Sequence, residues 1–66
     1  MTKREMNRRI NEMSPELAQR VYALVIAGES AESIYFQTTA TLRQVNAIFY
    51  WTYRNFGVAP KPKAAA

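Results

Sequence analysis

Four side chains between Thr41 and Gly57 carry the strongest chemistry in this sequence: Arg43, Tyr50, Trp51 and Arg54. Two guanidiniums and two large rings suit recognition. The planar fork of arginine matches carboxylates and phosphates, and Trp, Tyr and Arg are the residues enriched at binding hot spots. Catalysis has much less to draw on. The chain contains no histidine and no cysteine, and its five acids are all glutamates: Glu5, Glu12, Glu16, Glu29 and Glu32. A catalytic constellation would have to come from serine, lysine, tyrosine and glutamate, without a glycine-rich loop. Disulfides and the usual zinc ligands are excluded as well. The expectation is therefore a binding protein rather than an enzyme, with no catalytic, metal or cofactor site and no small-molecule substrate.

These four residues need a helix to bring them together, and the sequence supplies one. Thr41 followed by Gln44 is a capping box, in which the hydroxyl takes an orphan N–H of the first turn and the amide reaches back. Gly57 follows the last periodic residue, where glycine most readily takes the left-handed stop. At about 100° per residue, Leu42, Val45, Ile48, Phe49, Thr52 and Phe56 fall on one apolar stripe. Arg43, Ala47, Tyr50, Trp51 and Arg54 fall on the other face. With the first stripe inward, both rings point outward between arginines, and such a patch marks an interaction site. The alternative is that the N-terminal segment covers them.

Earlier in the chain, residues 1–13 read as a basic arm, with Lys3, Arg4, Arg8 and Arg9 against Glu5 and Glu12. Met6, Ile10 and Met13 have the spacing of an amphipathic turn or two. The bland reading is a solvated tail; the functional one is an arm that gains order on a phosphate backbone or an acidic protein. Ser14-Pro15-Glu16 opens a helix: serine caps, proline fits the first position, and glutamate complements the dipole. Leu17, Val21, Leu24 and Val25 are its inward stripe and Gly28 follows it. Tyr22 and Ile26 lie off that stripe, where Met6 and Ile10 would meet them. Ser30 caps a short second helix, with Ile34 and one of Tyr35 or Phe36 inward, and Thr38-Thr39-Ala40 connects it to the third. Beyond Gly57 all periodicity is lost, and two prolines and two lysines precede three alanines.

The expectation is an all-α protein: a basic N-terminal arm (1–13), a three-helix helix-turn-helix domain (14–57) and a disordered tail (58–66). The helices are placed at 15–27, 31–37 and 42–56, over a core of Val21, Leu24, Ile34, Val45, Ile48 and Phe49. Sixty-six residues bury only a thin core, yet 48% hydrophobic residues is too many for a disordered chain. The net charge of +4 and pI near 9.9 favour an acidic partner: nucleic acid, an anionic membrane or an acidic protein surface. The apolar run through Tyr22–Ala27 falls far short of the roughly 20 residues of a membrane span, and no secretory signal is legible. The expected location is therefore the cytoplasm.

Short second helix, brief turn and long third helix describe a helix-turn-helix, with Ile34, Ala40, Val45 and Ile48 at the positions of its apolar contacts. Tyr35 stands where that motif favours a small residue, and Thr39 where it favours glycine. The third helix also resembles that of a homeodomain in Thr41, Arg43, Gln44, Val45 and Phe49. In that comparison Ile48 replaces a core tryptophan, and Trp51 replaces the asparagine that reads adenine. Ala47, Tyr50 and Arg54 hold the other groove-facing positions. Tryptophan cannot make the bidentate contact to adenine, so the resemblance implies a retained scaffold whose base-reading chemistry is lost.

One run of residues extends from Met1 through Arg9 into Ser14-Pro15-Glu16-Leu17, and on to Tyr50-Trp51-Thr52-Tyr53. In these residues the chain is similar to small phage-encoded transcription regulators of the Xanthomonas phage type, which bind host bacterial RNA polymerase and inhibit it. The resemblance implies a steric mechanism in the host bacterial cytoplasm, with the basic domain occupying polymerase surface needed by sigma factor or promoter DNA. The expected polymerase contacts are Arg43, Tyr50, Trp51 and Arg54, aided by Arg4, Arg8 and Arg9. The alternative is a DNA-binding repressor that uses Thr41, Arg43, Asn46 and Arg54. In the polymerase reading, duplex DNA is bound only non-specifically and in a salt-sensitive way. A membrane-active helical peptide ranks below both, since capped helices joined by short turns favour a fixed fold.

Overall fold

The computed structural model describes residues 1–56. Four helices follow one another there: α1 (Lys3–Asn11), α2 (Pro15–Ile26), α3 (Ala31–Gln37) and α4 (Leu42–Phe56). No strand occurs among the described residues, so the described chain is all-α. The helix count is four where the sequence predicts three, because the residues expected to form an arm are helical. The glycine stop at Gly57 and the tail at 58–66 lie outside the described residues.

Local chemistry sets the boundaries. Thr2 Oγ1 accepts from the Glu5 amide at 3.1 Å, Ser14 Oγ from Leu17 at 3.2 Å and Ser30 Oγ from Ser33 at 3.1 Å. Each bond satisfies one of the four orphan donors at a helix start. At the head of α4 the box is reciprocal. Gln44 N–H donates to Thr41 Oγ1 at 3.1 Å, and Thr41 N–H donates to Gln44 Oε1 at 3.0 Å. α2 ends in a Schellman motif, with the Glu29 amide on the Leu24 carbonyl and the Gly28 amide on that of Val25, both at 3.1 Å. Gly28 has φ 88°, a left-handed value that costs a residue bearing a Cβ. α3 closes on Thr38, whose hydroxyl donates to the Ile34 carbonyl at 2.8 Å and accepts from the Ala40 amide at 3.2 Å.

Val21 and Val25 of α2, Ile34 of α3, Ala40, and Val45 and Ile48 of α4 form one buried cluster with Met13. Burying a side chain of this size stabilises by about 1.5–3 kcal/mol. Leu17, Leu24 and Phe49 pack against it and are only partly buried, so Leu24 and Phe49 flank the core rather than fill it. Thr52 is also buried, and its hydroxyl is satisfied by the Ile48 carbonyl at 2.8 Å. α1 packs on α4 more extensively than any other pair of helices, and Met6 is 3% exposed. The α1–α4 seam is therefore a part of the fold that an arm would not supply.

Candidate partner-binding surfaces

α4 has three distinct flanks. Val45, Ile48 and Thr52 face the core and are buried. Leu42, Arg43, Asn46, Tyr53 and Arg54 are exposed and Tyr50 is half-buried; at about 100° per residue these six share one outer arc. α4 contains no acidic residue. Between arc and core runs the third flank, where Ala47 is fully buried and Trp51 half-buried.

The expected recognition face is thereby divided. Arg43 and Arg54 are exposed and Tyr50 and Trp51 are both half-buried, whereas Ala47 is fully buried. Trp51 meets Tyr22 of α2 and lines a groove with Ile10 of α1, neighbours that periodicity within α4 alone cannot register. Two residues of the inward stripe move the other way: Leu42 is 43% and Phe56 58% exposed. They sit at the two ends of α4, where the core has tapered away.

Trp51 lies between two other rings. Tyr22 meets it edge to face at 5.6 Å between centroids, and Phe56 does so at 6.0 Å. Such pairs contribute about 0.5–1.5 kcal/mol beyond area burial. Beside Trp51 a groove of about 280 Å³ opens between α1, α2 and α4, lined by Ile10, Ala18, Gln19, Tyr22, Ile48 and Trp51. None of these carries a charge. The groove is thus a concave, uncharged surface in a chain of net charge +4.

On the outer arc, the Arg54 guanidinium carbon stands 5.7 Å from the Tyr50 ring centroid, and its Nη1 donates to the Tyr50 hydroxyl at 3.4 Å. That cation–π pair holds the Tyr50 ring. Tyr53, 54% exposed, has no hydrogen bond or ring contact among the described residues. Thr41, Arg43, Asn46 and Arg54 are all exposed, so the four candidate DNA contacts share the open side of α4 and its N-terminal cap.

The basic residues of α1 also separate. Arg4 and Arg8 are exposed. Arg9 is half-buried, with Nη1 on Glu12 Oε2 at 2.9 Å and Nε 3.9 Å from Glu5 Oε1. The second distance is ion pairing without a hydrogen bond. Arg9 is thus engaged within the fold, and Glu12 also accepts from Gln44 of α4 at 3.3 Å.

Sequence reasoning missed Phe36. One ring of Tyr35 and Phe36 is expected inward, yet they are 43% and 81% exposed and meet each other at 5.4 Å. α3 has only seven residues and buries one of them, Ile34, and a helix of two turns has little inward surface to offer. Phe36 borders a second groove of about 450 Å³ with Glu16, Leu17, Arg20 and Thr38. Tyr53 was missed too, although its position three residues after Tyr50 places it on the same arc. No protein family, curated protein or solved structure matches this chain.

Proposed function

We propose that this chain is a phage-type transcription regulator that binds host bacterial RNA polymerase in the bacterial cytoplasm. It inhibits initiation by occupying surface that sigma factor or promoter DNA requires. The reading begins from the sequence likeness described above, and one structural observation carries it. Trp51 is held edge-on by Tyr22 at the wall of an uncharged groove, which is the setting in which a tryptophan anchors a protein interface. Arg4 and Arg8 on α1 add steering charge toward an acidic partner. The contact surface of this proposal is thus the Trp51 groove with the exposed cations of α1.

The test is retention of polymerase from bacterial lysate at moderate salt, followed by single-round transcription from a purified holoenzyme. Polymerase subunits should remain bound after nuclease treatment, and promoter-dependent initiation should fall when the chain is added. Loss of all partners on nuclease treatment would count against the proposal.

A second reading is favoured by one observation, the common exposure of Thr41, Arg43, Asn46 and Arg54. In it, α3 and α4 form a helix-turn-helix and the chain is a DNA-binding repressor, with Arg43 and Asn46 reading base edges. Selection on random duplexes separates the readings. The polymerase reading expects no consensus; a reproducible motif that depends on Arg43 or Asn46 selects the repressor.

A further inference from the structure

The outer arc of α4 is left without a role when the protein partner sits at the Trp51 groove. Its chemistry has three parts. Arg43 and Arg54 stand near opposite ends of the helix, separated by about 16 Å at about 1.5 Å rise per residue. Tyr50 and Tyr53 lie between them, with Asn46 alongside. No acid of α4 opposes the two cations, and Arg43 has no ion-pair partner among the described residues.

Phenol rings offer faces, and the faces of bases are their natural complement. In a duplex those faces are stacked on one another, and a protein sees only base edges and the sugar-phosphate backbone. Among the arc residues between the two arginines, Asn46 alone has the paired donor and acceptor that read an edge. Tyr53 is 54% exposed and has no ring contact among the described residues. Tyr50 is braced by Arg54, so a base laid on it would meet a ring already fixed in place. A single strand exposes both of the features this arc complements, unstacked bases and a continuous line of phosphates.

We propose that the outer arc of α4 is a binding surface for single-stranded nucleic acid, with Tyr53 and Tyr50 stacking on bases and Arg43 and Arg54 pairing with phosphates. This goes beyond the polymerase reading and does not depend on it, because the face is different and the measurement uses the purified chain alone.

The experiment is fluorescence anisotropy of the full chain with three labelled probes of equal length: oligouridylate, oligothymidylate and a mixed-sequence DNA duplex. Both single strands should bind at least tenfold more tightly than the duplex at the same salt concentration. The ratio between the two single strands then assigns RNA or DNA as the preferred source. Tyr53→Ala should weaken single-strand binding roughly tenfold, as expected for loss of one stacked base, whereas Tyr53→Phe keeps the ring and should retain it. Arg43→Gln should flatten the salt dependence, by roughly one phosphate contact. Tyr53 is exposed, so these variants are expected to fold, and circular dichroism verifies it. Duplex binding as tight as single-strand binding overturns the proposal, as does a folded Tyr53→Ala variant with unchanged affinity.

Discussion

Trp51 packs within the fold and, in the proposed function, also anchors the polymerase contact. It is half-buried, wedged between Tyr22 and Phe56, yet its remaining area forms a groove wall. Truncating a fully buried tryptophan costs about 3–5 kcal/mol, so about 2 kcal/mol is expected for Trp51→Ala. Set against the roughly 5 kcal/mol available to a small domain, the variant should stay folded with a clearly lower urea midpoint. Its retention of polymerase should also fall by more than the loss of folded protein explains. Measuring both on one preparation separates the two roles, and unchanged retention in the folded fraction would make the ring purely structural. Thr41 acts at the opposite end of α4. Thr41→Ala removes the acceptor for the Gln44 amide and should cost about 1 kcal/mol, seen as faster hydrogen exchange at Gln44 while the amide of Val45, bonded to the Thr41 carbonyl, is less affected.

At the level of helices, α1 is the element that changes the reading of the others. Its inward residue Met6 is buried, as is Met13 in the turn that follows it, and Ile10 lines the Trp51 groove. Met6→Ala should therefore destabilise the whole domain by about 2 kcal/mol or more, with raised exchange in both α1 and α4. A disordered arm predicts no change in thermal midpoint. The caps of α2, α3 and α4 were legible from sequence, because a cap is decided within four residues by hydroxyls at Ser14, Ser30 and Thr41. The same signature stands at Thr2 and Glu5, within a run of cations whose charge fits a solvated arm equally well. The docking of α1 was legible only as the alternative in which the N-terminal segment covers the rings, because it depends on residues far apart in sequence. Phe36 was misplaced for a related reason, since periodicity says which residues share a face but not whether any element covers it.

Across the whole molecule the core and the two proposed surfaces make separable demands. Val45 is fully buried, and Val45→Asp leaves an unpaired charge costing several kcal/mol, enough to unfold the domain; a native-like circular dichroism spectrum for that variant would contradict the helix packing. The two surfaces, by contrast, should fail independently. Gln19 lines the groove and is exposed on α2, so Gln19→Arg adds a charge to an uncharged lining without disturbing the core. It should reduce polymerase retention and leave oligouridylate binding unchanged, apart from a small gain from the added cation. Tyr53→Ala, on the outer arc, should do the reverse. Sites that share no partners combine additively to within about 0.5 kcal/mol, so the double variant should lose both activities by the amounts seen singly. The measurement is the full cycle of four proteins against both partners. A coupling well above that margin would mean that groove and arc form one surface, and that the single strand and the polymerase compete for it.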